Sequence, residues 1–441
     1  MKKLIIGLLT INLACAQSLT SLYHQSLKND PQYQSAYYQY LADLKTPTIA
    51  KSARLPQITA KAAAFRDKYK FYDDVPHFET SPGYSLQLDL KQVLFSKTLN
   101  KTIDQADLQA QLAKTQWHIQ QQSLMVRTAE KYMNLLKAVE AEISAKSKKK
   151  SLKQLLNSVQ HHRDLKTATK AEYLIVKAQL QQATAQALDA HYQVTLAKEE
   201  VVALSGDVTT PVYGLSDQFK LQLPKPNDVG SWEQLAFQNN LNIAAAQYQE
   251  QMAKTNIKQI KGGHFPTFYL GGQYMRQHFS SEFWVLNSDL EQNYWQIGIG
   301  MELPIYQGGQ VMGKTDQAKS MLQSIQEQHK YVRRQVKKAV HQSFYGIVVG
   351  KESIGALKTA FTANEQAYQA MKQSYNLGVK TLSDYLKQTH DLYNSQTQFR
   401  QAQYDYLLAT LKLKQAVGML NEQDIEDINK LLTRKLRFDL N

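Results

Sequence analysis

The chain is short of the residues that reactive chemistry, disulfides and sharp turns require. Its 441 residues hold one cysteine, Cys15. Ten prolines occur and none lies beyond Pro304, while Tyr84 to Ser205 contains neither glycine nor proline. No HExxH or phosphate-loop pattern is present, so metalloprotease and P-loop nucleotide chemistry lack their usual carriers. His161-His162 is no metal pair, because adjacent residues do not share a helix face. Gly298-x-Gly300 lies inside an alternating segment rather than at a strand-to-helix turn. No paired carboxylates or nucleophile constellation stand out, so we expect no catalytic residues, no metal site and no cofactor. Long apolar runs are also missing. The one apolar stretch, Leu4 to Ala14, follows Lys2-Lys3 and precedes Ala14-Cys15-Ala16, the pattern of a secretory signal peptide. It is too short to span a bilayer as a helix.

These absences shape the expectation. Cleavage after Ala16 leaves a mature chain with no cysteine; lipidation of Cys15 is the rival reading, and Asn12 stands where leucine is usual. Removing Lys2 and Lys3 takes the formal charge from +14 to 14 − 2 = +12. An exported basic chain points to an acidic surface rather than to nucleic acid. Without a transmembrane helix, a membrane-spanning form would have to be a closed β-barrel.

What is present is a duplication. Leu55-Pro56-Gln57-Ile58 and Phe265-Pro266-Thr267-Phe268 open similar segments 210 positions apart. Val93-Leu94-Phe95-Ser96 and Pro304-Ile305-Tyr306-Gln307 close them at an offset of 211. Leu165 to Leu174 then matches Leu377 to Leu386 at an offset of 212. The unit is far longer than a solenoid repeat. Each copy reads helix, strand, strand, long helix, tight turn, returning helix.

Residues 18–54 read as helix, with Pro31 at a helix start after Asn29-Asp30. In the strand segments Tyr84, Leu86, Leu88 and Leu90 alternate with polar residues. Trp295, Ile297, Ile299, Met301 and Leu303 alternate with Gln296, Gly298, Gly300 and Glu302. Period two with unlike faces suits a strand between lipid and a wet lumen, or one face of a soluble sandwich. Asp73 to Gly83 and Ser280 to Asn293 read as polar, aromatic turns. Tyr72, Tyr84, Phe283, Trp284, Tyr294 and Trp295 would form an aromatic girdle. The glycine-free stretch predicts helix, and Met125, Ala129, Tyr132, Leu136, Val139 and Ile143 form a heptad seam. A helix from about 97 to 162 would be roughly 100 Å long, and a second is expected over 313–376. Thr169-x-x-Glu172 and Thr381-x-x-Asp384 are capping boxes that start the returning helices. Those helices end near Gly206 and Gly418. The Lys148-Lys149-Lys150 run reads as a solvated helix face or a docking surface.

This order, with Leu303-Pro304-Ile305-Tyr306-Gln307-Gly308-Gly309, Leu377 to Leu386 and Gly418 to Asp424, resembles the TolC family of outer-membrane efflux proteins over nearly all the mature chain. The resemblance implies a mainly α fold with a membrane β-barrel portion. It implies a homotrimer whose protomers each give four strands to a 12-stranded barrel, continued by a long periplasmic α-helical barrel. It implies an exit duct for efflux or type I secretion, with no covalent chemistry. Its partners would be outer-membrane lipid, a periplasmic adaptor (membrane fusion) protein and an inner-membrane transporter. The domains would be a signal peptide (1–16), a first repeat (17–206), an equatorial linker (207–230), a second repeat (231–420) and an equatorial tail (421–441).

The resemblance also assigns residues. Asp384 falls on a pore-lining aspartate of the periplasmic constriction. Lys387 stands where the family pattern has a second aspartate, which would weaken cation selectivity. Tyr375 and Lys380 match positions that latch the closed state, with Glu172 the natural carboxylate partner. Lysine at 380 replaces an arginine and loses its planar fork. Leu165, Thr167, Gly378 and Val379 would form the docking tips, and Pro304, Gly308 and Gly309 the junction between barrel and helix. An exported coiled-coil or adhesin protein without a channel is the competing reading, and a secreted enzyme a third.

Overall fold

A computed structural model describes residues 18–71, 77–207, 211–216, 219, 221–283 and 286–436, with backbone alone at 69–71, 77–81, 279–283 and 286–290. The expected signal peptide, Cys15, Tyr72 and Trp284 lie outside the described residues, as does the side chain of Phe283.

The first copy opens with three helices, α1 (Leu19–Asn29), α2 (Pro31–Asp43) and α3 (Thr46–Ser52). Each break has a local cause. Ser18 and Ser21 cap α1 reciprocally, and Asp30 receives the amide of Gln32 where Pro31 starts α2. Strands β1 (Gln57–Phe71) and β2 (His77–Phe95) follow. Then come α4 (Lys97–Asp164), of 68 residues, and α5 (Lys170–Ser205), of 36. Gly206 ends α5 in the left-handed region at φ 85°.

A short strand, β3 (Val212–Leu215), separates the copies. The second copy runs α6 (Val229–Asn239), α7 (Leu241–Lys261), β4 (Thr267–Phe283), β5 (Leu286–Glu302), α8 (Gln310–Asn376) and α9 (Leu382–Ala416). The chain continues into α10 (Glu422–Leu431) and β6 (Leu432–Leu436).

Two compact units emerge, and α4 and α8 contribute to both. One holds residues up to Tyr38, Trp117–Ile243 and Val332 onward. Its core contains the heptad seam: Met125, Ala129, Tyr132, Leu136 and Val139 are buried, and Ile143 packs against them. Here β3 pairs antiparallel with β6, tying the segment between the copies to the tail. Tyr132 fastens the pair from below: its hydroxyl accepts from Tyr213 N and donates to Tyr213 O. Arg434 of β6 reaches buried Glu140 of α4, which also accepts from the Tyr404 hydroxyl at 3.2 Å.

The other unit, Gln39–Gln116 with Ala244–Tyr331, contains the sheet, in strand order β1-β2-β4-β5. All pairs are antiparallel. The expected long turns shorten: β2 starts at His77 and β5 at Leu286, so most of Asp73–Gly83 and Ser280–Asn293 is ladder. Backbone hydrogen bonding continues through polar residues that read as loop. Pro82 sits in β2 opposite Arg66, just outside the stretch that pairs with β4, which starts at Gly83. A missing amide costs least there.

Register sorts the faces. Ala60, Ala62 and Ala64 of β1 lie across from Leu88, Leu86 and Tyr84 of β2. On the same face Leu88, Leu90 and Phe95 sit opposite Tyr274, Gly272 and Phe268 of β4, which sit opposite Trp295, Ile297 and Met301 of β5; towards the hairpin ends the face turns polar, with Arg276 and His278 opposite Leu86 and Tyr84. Trp295 and Ile299 on this face are 75% and 74% exposed. The opposite face carries Ser85, Gln87, Asp89, Gln273 and Gln296, with Lys61 paired to Asp89 at 2.8 Å. Two glycines here accept aromatic rings from the neighbouring strand. Phe65 lies over Gly83 and Tyr269 over Gly300, so that a Cβ at Gly300 would meet Tyr269 Cζ at 2.5 Å.

Candidate functional site at the helix turns

The turn α4–α5 is built on carbonyls left over at the end of α4. His162 O accepts from Thr167 N and Oγ1, at 2.8 and 2.9 Å, and from Ala168 N at 3.2 Å. That closure puts Lys166 at φ 61°, a left-handed conformation. The turn α8–α9 repeats it: Ser374 O accepts from Val379 N at 2.9 Å and Lys380 N at 3.3 Å, with Gly378 at φ 73°. The two turns superpose by the sequence offset, yet lysine fills in the first the place that glycine fills in the second. Leu165, Leu377 and Val379 project from the turns at 60%, 78% and 72% exposure, and Thr167 and Gly378 are exposed with them.

Both capping boxes form. Thr169 N donates to Glu172 Oε2 at 2.8 Å, and Glu172 N to Thr169 Oγ1 at 3.1 Å. Thr381 Oγ1 donates to Asp384 Oδ2 at 2.8 Å, and Asp384 N to Thr381 Oγ1 at 3.2 Å. The Thr381 hydroxyl and amide hold the Asp384 carboxyl below its ordinary range, with Lys380 and Lys387 adding to the effect. Asp384 therefore stays charged at neutral pH between two lysines. Among the described residues no ion pair within the protomer joins Lys380 to Glu172. Glu172 and Lys387 instead line one groove of about 630 Å³ with Ile175, Gln179, Leu382, Ser383, Leu386 and His390.

Beneath the turns a cluster joins all four helices: Leu152, Leu155 and Val159 of α4, Val176 of α5, Tyr368 of α8, and Leu382 and Tyr385 of α9. Tyr375 stacks on Tyr385 with centroids 5.5 Å apart, and burial, then the charge of Glu172, raises its hydroxyl pKa. The Tyr385 hydroxyl lies 3.1 Å from that of Tyr368, which lies 2.7 Å from Ser151 Oγ. The sequence reading missed this hydroxyl chain. Its signal was the spacing Tyr368, Tyr375, Tyr385, which marks one helix pair but not a partner at Ser151.

The junction residues lie far along the chain from the turns. β5 reaches α8 through Leu303 to Gly309, with Gly308 at φ 59° and Gly309 at φ 78°. Pro304 lies in this segment, and Ile305 and Tyr306 are 94% and 86% exposed. In the first copy Ser96 alone separates β2 from α4, its hydroxyl accepting from Leu99 N. The copies therefore differ at both ends of their long helices.

The groups at the turns can cap, pair charges and offer apolar tips. Among the described residues there is no cluster of three or more potential metal ligands, and no helix is long and apolar enough to cross a membrane.

Known proteins resemble the chain along most of its length. It is 26% identical to outer membrane protein TolC of Vibrio cholerae, over 94% of this chain and 93% of that one. It is 24% identical to the alkaline protease secretion protein AprF of Pseudomonas aeruginosa, over 94% and 87%. The crystal structure of the CmeC outer membrane channel of Campylobacter jejuni shares the fold, with TM-score 0.78 at 15% identity over 94% of this chain and 89% of that one. The profile of the outer membrane efflux protein family matches residues 22–207 and 232–419, one match to each copy of the duplication. The chain belongs to the outer membrane efflux protein family.

Proposed function

We propose that the chain is one protomer of a homotrimeric exit duct in the outer membrane, passing cargo outward from an inner-membrane transporter through a periplasmic adaptor. The sheet carries this reading. Its order leaves β1 and β5 as edges, and one face is an exposed apolar band. Trp295 to Leu303 spans eight residue steps, about 27 Å of strand at about 3.4 Å per residue. Tilted by about 40°, it rises about 21 Å, close to the roughly 25 Å apolar band of outer-membrane barrels. Unpaired edge groups each cost several kcal/mol in lipid, and four strands fall short of the smallest barrels, of about eight. Other copies must close the sheet; three copies give twelve strands. A coiled-coil protein without a channel would leave this band without a purpose.

The segments 17–206 and 231–420 are then the two repeats, and 207–230 with 421–441 the equatorial region. The names of relatives include an outer membrane efflux protein and protease secretion proteins, so the cargo class is drugs, proteins or both. Three copies of Asp384 would ring the periplasmic constriction, each flanked by Lys387. Tyr375, Lys380 and Glu172 would latch the closed aperture; a Lys380–Glu172 link would have to form between protomers. Leu165, Thr167, Gly378 and Val379 would receive the adaptor.

The test is fractionation and conductance. The protein should migrate as a heat-modifiable, SDS-resistant trimer from the outer-membrane fraction and open channels in planar bilayers. Lys380→Glu should raise conductance, and Lys387→Asp should raise cation selectivity. A soluble monomer without conductance overturns the duct; a trimer indifferent to both variants overturns the gate alone.

A further inference from the structure

Away from the turns, α4, α5 and α9 line an open-mouthed cavity of about 230 Å³ in the unit that holds the heptad seam. Its polar lining is Ser144, Lys148, Gln186, His390, Asn394 and Thr397. Among the described residues no carboxylate lines it. Lys148 is half-buried and projects here, bound to Gln186 Oε1 at 3.1 Å and near His390 Nδ1 at 3.4 Å. Neither neighbour carries a negative charge, and burial lowers the pKa of the ammonium. Glu142, the α4 carboxylate nearest in sequence, is spent on Lys146 at 2.9 Å and His191 at 2.8 Å. Ser144 and Thr397 are also spent, both donating to Tyr393 O. The amide nitrogens of Asn394 and Gln186 make no hydrogen bond among the described residues.

An ammonium partly withdrawn from water with no counter-charge beside it is unfavourable. Here it is combined with two solvent-exposed amide donors at the rim, unbonded among the described residues, and a space that holds several waters at about 30 Å³ each. We propose that this cavity binds one small oxyanion of the carboxylate or phosphate class, held by Lys148 with Asn394, Gln186 and His390. The Lys148-Lys149-Lys150 run is then more than a solvated face, since its first member lines this cavity. The inference is independent of the duct reading, because the walls belong to one protomer.

The test uses purified full-length protein in detergent, with chloride exchanged for inorganic phosphate or for acetate at fixed ionic strength. Thermal unfolding midpoint and isothermal titration are the readouts. A ligand bound only by the folded state raises the midpoint with concentration. Wild type should respond saturably to at least one anion; phosphate alone assigns a phosphate-type ligand, and acetate alone a carboxylate. Lys148→Gln should weaken binding about tenfold or more, the range of one charge-assisted hydrogen bond. Lys148→Arg should retain it, and Asn394→Leu should weaken it while leaving the unliganded midpoint near wild type. Indifference of wild type to both anions, or equal responses in wild type and Lys148→Gln, would overturn the site.

Discussion

Replacing Lys166 by glycine should stabilise the first helix turn, and replacing Gly378 by lysine should loosen the second by a similar amount. Lys166 sits at φ 61° and Gly378 at φ 73°, with the same hydrogen-bonding closure around each. A side chain in the left-handed region costs roughly 1–2 kcal/mol. Glycine recovers that but gives back part through the greater freedom of its unfolded chain. A net gain of about 1 kcal/mol remains for Lys166→Gly. Global unfolding dilutes a change confined to one turn, because local opening and global unfolding have different free energies. Amide hydrogen exchange reports the turn itself. Thr167 N and Ala168 N both bond to His162 O, so their exchange tracks opening of this turn. A gain of about 1 kcal/mol slows them roughly fivefold. In Gly378→Lys, Val379 and Lys380, which bond to Ser374 O, should exchange faster by a similar factor. Unchanged or faster exchange at Thr167 in Lys166→Gly would refute the strain argument and would mean that the lysine side chain stabilises its own turn.

Arg434→Met should strand the buried carboxylate of Glu140 and destabilise the β3–β6 region by about 3–5 kcal/mol; limited proteolysis should then cut near the tail in the variant and spare wild type. Gly300→Val places a side chain into the ring of Tyr269, and overpacking of this kind costs about 1–3 kcal/mol; the yield of SDS-resistant oligomer should fall, and Tyr269→Ala in the same chain should restore part of it. Glu250 bonds to Lys254 at 2.7 Å and to His329 at 3.0 Å, which together hold its carboxyl down at about 2 from an ordinary 4.5. Its stabilisation, at most about 3 kcal/mol, is complete above the unfolded pKa and is lost as pH falls from about 4.5 to about 2. Acid titration of the unfolding midpoint should show that loss in wild type and a shallower one in Glu250→Gln.

How much of this was legible in the sequence depended on range. Helix ends were readable because their causes are local: Thr169 with Glu172, Thr381 with Asp384, and Gly206 and Gly418. The seam from Met125 to Val139 was readable because burial follows helical period. The turns were read too long, since Pro82 and its polar neighbours advertise a loop while the ladder from His77 depends on backbone alone. Lys166 hid its left-handed conformation behind a side chain seldom found there. The β3–β6 pair was invisible, four or five residues on each strand with no periodic signal. The proposed gate residues were named by family likeness alone; their local geometry, Asp384 on Thr381 and Tyr375 on Tyr385, required three dimensions.

The pairing of β3 with β6 bears on how the chain is made. Val212 meets Leu436 across the whole second copy, and such distant contacts form late. During synthesis Tyr213 and Glu140 emerge long before Arg434. Until then Glu140 must find other company or stay in water, and β3 has no strand beside it. Each compact unit draws on both copies, so the first copy waits for the second, and β3 waits longer still for β6. A chain cut off before Leu432 would keep the β2–β4 ladder and the shared core between the copies but would lack the β3–β6 pair and leave Glu140 without Arg434.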